Sequence, residues 1–315
     1  MVLRQLAAGA AALATAGAAA TAGFVYLDRR RRRRPEPTGY VREVAGARVH
    51  YVDEGAGAAV VLVHGLAGST FSWRAVLPEL AKEFRVVAVD LPGFGLSDRR
   101  RGIGYGHERQ AERLAALLEL LGIERAAFVG HSMGGAIVER LAARRPERVE
   151  RLVLVAPASA GRPAVVASRA ATWMAFEAMS LVAASPSVMY ALGRRSLRRM
   201  VADPAFVTDD VVRGYVDPLL VPGTFRAMRE MATERALEPG VDPGSVGVPA
   251  LVLAGERDTV VAPAVAEWLA GALPYAGPAV VIERAGHLLA EERPDAFLRA
   301  VLPFLRTGST AQARR

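Results

Sequence analysis

The sequence predicts an α/β protein: a mostly parallel sheet flanked by helices, with a helical block inserted late in the chain. Three observations carry that prediction. From residue 60 onward, short continuous apolar runs alternate with helix-length segments; strands of that kind are buried on both faces, as in parallel sheets covered by helices on either side. Residue types able to do chemistry fall directly after these runs, at the end of the sheet where ligands bind in open α/β folds. Finally, a block of about ninety residues between Pro157 and Val248 contains no strand-like run at all, and a stretch that long is not a plain loop.

The chain begins with Leu6 to Leu27, 22 positions without a charge, of which 11 are Ala and three are Gly, followed by Asp28 and six consecutive arginines. That length reaches across a bilayer as a helix. A secretory signal carries its positive charge before the apolar run, not after it. The expectation is therefore a membrane anchor in residues 1–37, with the body of the chain on the cytoplasmic side by the positive-inside rule. The alternatives are a secreted product, cleaved among the small residues Ala18 to Thr21, and a disordered N-terminal tail. The net charge is +8, but residues 1–35 supply +6 of it, so the body is nearly neutral and no nucleic-acid partner is expected. With no cysteine, disulfides, thiolate metal sites and cysteine nucleophiles are excluded, and no cofactor or metal is expected.

Pro35-Glu36-Pro37 reads as a stiff linker. Tyr40 to Val44 and Arg48 to Val52 alternate in polarity around Ala45-Gly46, the pattern of an antiparallel hairpin. Six apolar runs follow: Val60-Val63, Val86-Val89, Ala126-Val129, Leu152-Val155, Ala250-Ala254 and Ala279-Ile282. With the hairpin they make an eight-stranded sheet. Between them, Ala111, Leu114, Leu117, Leu118 and Leu121 recur at helical spacing, as do Ile137, Leu141 and Trp268 with their neighbours. The boundaries that result are a core over 38–157 and 248–307, a helical insertion over 158–247, and a disordered tail over 308–315. The arginines of the insertion (Arg194, Arg195, Arg198, Arg199) are expected on a solvated face.

The third apolar run leads into Gly130-His131-Ser132-Met133-Gly134, and a helix-patterned segment leaves it. Gly-x-Ser-x-Gly between a strand and a helix is the pattern of a sharp turn that lifts a serine clear of the sheet, with glycines where a Cβ would collide. After the other runs come His64-Gly65-Leu66, Asp90-Leu91-Pro92-Gly93-Phe94-Gly95, Gly255-Glu256-Arg257-Asp258 and Glu283-Arg284-Ala285-Gly286-His287. A serine, an aspartate and a histidine thus meet on one sheet edge in the chain order Ser…Asp…His. Of the other histidines, His50 (in a strand) and His107 (opening a helix) read as structural or exposed, His64 as a brace for its loop, and His131 as a pocket-lining or packing residue.

These motifs, with Leu96-Ser97, Gly135, Glu291 and Pro294 beside them, resemble the α/β-hydrolase fold superfamily over residues 40–305. The likeness is to its serine esterases and lipases, whose helical cap the insertion resembles. The resemblance implies Ser132 as nucleophile, His287 as general base and Asp258 as the acid that orients it, with Glu256 the alternative acid on the same turn. It also implies the backbone N–H groups of Leu66 and Met133 as the oxyanion hole. Relatives that open epoxides or remove halide use an aspartate at the elbow, which Ser132 disfavours. Carbon–carbon bond hydrolases of the family typically carry tryptophan after the base, where this chain has Leu288. Haloperoxidases usually carry an aromatic residue after His-Gly, where it has Leu66. The expected activity is therefore hydrolysis of a small-molecule carboxylic ester through an acyl-enzyme, the substrate hydrophobic or lipid-derived, as a monoacylglycerol is. The alternatives are a carbon–carbon hydrolase or haloperoxidase of the same fold, or a non-catalytic binding module.

Overall fold

The computed structural model describes residues 38–159, 169–183 and 185–307. The expected anchor with its arginine run (1–37), the first residues of the insertion (160–168) and the tail (308–315) lie outside the described residues. Among the described residues no helix is long and apolar enough to cross a membrane.

β1 (Tyr40–Val44) and β2 (Ala47–Glu54) form the predicted hairpin. Its two turn residues, Ala45 and Gly46, both have positive φ (45° and 78°), as a type I′ turn requires. The remaining strands are β3 (Ala59–Val63), β4 (Arg85–Asp90), β5 (Ala126–His131), β6 (Val149–Val155), β7 (Ala250–Gly255) and β8 (Val280–Ile282). The sheet order is β1-β2-β4-β3-β5-β6-β7-β8, antiparallel up to the β2–β4 pair and parallel from there on. Each parallel strand sends alternate side chains to opposite faces, so one apolar run feeds two cores. Val61, Val63, Val87, Val89 and Phe128 pack on one side, with α2 (His107–Leu120), α3 (Met133–Arg144) and α8 (Pro263–Ala272). Val60, Leu62, Val86, Ala88 and Val129 pack on the other, with α1 (Leu77–Leu80), α9 (Leu289–Glu292) and α10 (Pro294–Arg306). This is the eight-stranded, helix-flanked sheet that the sequence predicts.

Between β6 and β7 the described insertion holds α4 (Arg169–Val182), α5 (Pro186–Met200), α6 (Asp209–Leu219) and α7 (Thr224–Arg235). Thr208 caps α6 by accepting from the Val211 N–H, and Asp209 and Asp210 sit in its first turn, where negative charge suits the helix dipole. Met189, Leu197, Val212, Tyr215, Phe225 and Met228 of these helices join the same apolar cluster as the first face of the sheet, so the described part of the insertion shares its core with that face. Where α6 crosses the loop after β3 the fit is tight: a Cβ on Gly214 would lie 2.1 Å from the Phe71 ring. Arg195, Arg198 and Arg199 are exposed, and Arg194 pairs with Asp209.

Candidate active site

β5 runs straight into the serine turn. Ser132 has φ 50° and ψ −113°, a conformation that a residue with a side chain adopts only under constraint. The constraint is visible: the Ser132 N–H donates to the Val155 carbonyl (2.9 Å), and the Ser132 carbonyl accepts from Ala158 (3.0 Å). The glycines on either side are dictated by contact. A Cβ on Gly130 would lie 2.7 Å from the Gly134 carbonyl oxygen, and one on Gly134 would lie 2.3 Å from the Val63 carbonyl oxygen. Met133 is the first residue of α3, so its N–H has no acceptor within the helix.

The loops after β7 and β8 bring Asp258 and His287 together. His287 Nδ1 donates to Asp258 Oδ2 at 2.7 Å, and both residues are buried. The other carboxylate oxygen accepts from the N–H groups of Val260 (2.7 Å) and Val261 (2.9 Å), which fixes the plane of the acid. With its proton on Nδ1, the neutral imidazole carries its lone pair on Nε2, and His287 and Ser132 line one cavity of about 130 Å³. Glu256, the alternative acid, is exposed and accepts from the Arg284 N–H at 2.8 Å; it is not a partner of His287.

His64 explains how the Leu66 N–H is aimed. Its Nε2 accepts from the Leu91 N–H (3.0 Å), so Nδ1 carries the hydrogen and donates to the Gly65 carbonyl (2.7 Å). Burial lowers its pKa, consistent with this neutral form. Because C=O and N–H of one trans peptide point in opposite directions, holding the Gly65 oxygen on His64 turns the Leu66 N–H the other way. Neither the Leu66 nor the Met133 N–H has a hydrogen-bond partner among the described residues. A Cβ on Gly65 would lie 3.1 Å from Ser132 Cβ, so this loop approaches the serine as closely as a glycine allows.

His131 has a contact that its position in the motif does not reveal. Its Nε2–H donates to the His287 carbonyl (2.9 Å), with the two rings 4.7 Å apart. Burial, and next the charge of His287, push the His131 pKa down to about 3, so it stays neutral beside the base. His107 is buried at the start of α2, and burial likewise lowers it to about 3. The core side of the cavity is formed by Gly65, Leu66 and Ser72 with Ser132 and His287; the insertion supplies Leu197, Met200, Tyr215, Val216 and Leu219. No group of His, Asp and Glu among the described residues is arranged to hold a metal ion.

The sheet, the strained serine turn and the order of the loops define a class, and comparison with known proteins agrees with it. The profile of the α/β hydrolase fold family matches residues 58–294, and the chain belongs to that family. It is 31% identical to a 2-hydroxymuconate semialdehyde hydrolase of Pseudomonas sp. (strain CF600) over 85% of this chain and 93% of that one. Among solved structures, a meta-cleavage product hydrolase from Pseudomonas fluorescens IP01 superposes with a TM-score of 0.72 at 27% identity, covering 87% of this chain and 100% of that one. A thermophilic esterase from Thermogutta terrifontis superposes with a TM-score of 0.73 at 26% identity, covering 85% of this chain and 98% of that one. Relatives in reach of the chain thus include both carbon–carbon bond and ester hydrolases.

Proposed function

We propose that the protein is a carboxylesterase acting on a neutral, hydrophobic ester. Ser132 Oγ attacks the ester carbonyl while His287 Nε2 takes its proton, and Asp258 stabilises the imidazolium that forms. The carbonyl oxygen becomes an oxyanion facing the N–H groups of Leu66 and Met133. When the intermediate collapses, the bond to the alkoxy oxygen breaks and His287 returns the proton to the departing alcohol. Water, deprotonated by the same histidine, then releases the acid and restores Ser132.

The observation that carries this reading is the chemistry of the cavity wall. Among the described residues the cavity is lined by Leu66, Leu197, Met200, Val216, Leu219 and Leu288 with a few hydroxyl groups, and by no arginine or lysine. The substrate named for the Pseudomonas relative is a carboxylate, and burying one in such a site without a cation is costly. A neutral ester carries no such penalty. The cavity, about 130 Å³, is close to the roughly 150 Å³ known to hold a benzene molecule. The acyl group it accepts as it stands is therefore compact, and a monoacylglycerol marks the long limit of the range.

Rates on p-nitrophenyl esters from C2 to C16 test the proposal, with Ser132→Ala as control. Activity should peak among the short chains and vanish in the control. Faster loss of a ring-fission product than of any ester would assign the carbon–carbon reaction instead. Failure of the folded wild type to react with a fluorophosphonate would leave a binding module. Membrane association through residues 6–27 is a separate proposal, motivated by the uncharged run and the arginines behind it. Removing residues 1–37 should abolish partitioning into vesicles and leave ester hydrolysis within about twofold; unchanged partitioning would refute it.

A further inference from the structure

His287 stands just before α9, and two consecutive acids on that short helix, Glu291 and Glu292, reach two different parts of the insertion: helix α6 and the segment just past α5. Glu291 accepts from the Tyr215 hydroxyl on α6 and from Arg74, and Ser72 Oγ lies 3.2 Å from the same hydroxyl. Glu292 accepts from the Gly286 N–H through Oε1 (3.0 Å) and from the Ala202 N–H, just past the end of α5, through Oε2 (2.6 Å). One carboxylate thus bridges the residue before the base and the second residue past the end of α5.

The bridge is reinforced on both sides. The His287 N–H donates to the carbonyl of Met200, the last residue of α5, at 2.7 Å, and the Thr259 hydroxyl, next to Asp258, donates to the Arg199 carbonyl at 2.6 Å. Carbonyls at a helix C-terminus lack partners within the helix, and here the loops bearing the base and its acid supply them. The chains also pass at the closest approach possible: a Cβ on Gly286 would lie 2.3 Å from the Met200 carbonyl oxygen. The arrangement sets the carbonyl end of a 15-residue helix against the segment that bears an imidazolium during turnover, which is the favourable sign for the helix dipole.

The geometry points to Glu292 as a positioning residue for His287: by holding Gly286 and Ala202 together it clamps the base loop to the end of α5, so that the inserted helix sets where the imidazole lies. The inference rests on the reading of His287 as the base of Ser132. It makes α5 a fixed wall of the site, and any opening that admits larger substrates must occur elsewhere in the insertion. Glu292 is not among the residues that line the cavity, so its effect should fall on the chemical step.

The test compares wild type, Glu292→Ala and Glu292→Gln by kcat and KM on p-nitrophenyl acetate, by the second-order rate of fluorophosphonate labelling, and by thermal melting. Misplacing a catalytic group by about 1 Å costs about a hundredfold. Glu292→Ala should therefore lose about 10- to 100-fold in kcat and in labelling rate per folded molecule, with KM within about threefold. Glu292→Gln keeps one acceptor and should fall between the two, which preserves the test if the alanine variant does not fold. Rates per folded molecule within twofold of wild type for both variants would overturn the clamp, as would a rise in KM at unchanged kcat. A folded wild type that does not label would overturn the esterase reading, and the clamp with it. A labelling wild type with equally fast variants would overturn the clamp alone.

Discussion

Two buried histidine–aspartate pairs lie at the carboxyl end of the sheet, with nearly the same geometry. His50 Nδ1 is 2.8 Å from Asp90 Oδ2, and His287 Nδ1 is 2.7 Å from Asp258 Oδ2. What separates them is the second nitrogen of each ring. His50 Nε2 lies 2.8 Å from the Thr38 carbonyl, so both its nitrogens face groups that only accept; the ring satisfies both only as an imidazolium. Asp90 is equally committed, accepting from the N–H groups of Thr70 (2.6 Å) and Leu96 (2.8 Å) as well as from His50. His287 spends only Nδ1 on its partner, and Nε2 has none among the described residues. A His–Asp pair therefore signals proton transfer only where one ring nitrogen is left over. The first pair ties β2, β4 and the loop after β3 together, and the second leaves Nε2 open, as the proposed base of Ser132 requires.

Neutralising the acid of each pair should separate these roles by the largest margin. Asp258→Asn removes the acceptor that fixes the His287 tautomer, and in the Ser-His-Asp arrangement such a change lowers kcat by about ten-thousandfold. Because both Asp258 N–H contacts go to the oxygen that asparagine keeps, melting should change little. Asp90→Asn leaves a buried imidazolium without its counter-charge, a loss of about 3–5 kcal/mol. Its activity per folded molecule should stay close to wild type. If Asp90→Asn lost kcat while keeping its melting temperature, or Asp258→Asn did the reverse, the assignment of the two pairs would be exchanged.

The sequence shows why one pair was legible and the other was not. Ser132, Asp258 and His287 each follow an apolar run; the first two runs are strands buried on both faces, and the third is the edge strand β8, where Val281 is exposed. The order of runs and residues therefore carried the site. The partner of Asp90 depends instead on register: His50 lies opposite Asp90 across the antiparallel β2–β4 pair, and nothing in either segment alone fixes that alignment. His50 read only as structural or exposed, and it is buried. The same limit applies to Glu292. The motif after the base drew attention to Glu291 and Pro294, but which of two adjacent acids reaches α5 is a matter of one helical step on a four-residue helix. The hydrogen bond from His131 to the His287 carbonyl is likewise a contact between the end of β5 and a loop 156 residues further on, which no local pattern records. The described helices of the insertion were readable as a helical block, whereas their shared core with the sheet was not, since an apolar helix face does not say what it packs against.

The smallest expected effect comes from titrating the structural pair. Burial pulls the His50 pKa down, but the hydrogen bond and charge of Asp90 outweigh it and hold the group above 6.5. For Asp90, burial pushes up, and the hydrogen bond and charge of His50 outweigh it and bring the group below 3.8. A raised histidine contributes stability that is complete below its unfolded value and disappears as pH climbs through its folded value. A depressed aspartate contributes stability that disappears as pH falls through its own. The pair therefore supports the fold from about pH 4 to somewhat above 6.5, and its alkaline side is the accessible one. Wild-type melting temperature should therefore fall as pH rises past that limit. His50→Gln should melt lower and lack that drop, while the pH profile of kcat/KM should be unchanged. A kcat/KM profile that moved with His50→Gln would mean that the two pairs communicate through the loop between β3 and α1, and the division between them would no longer hold.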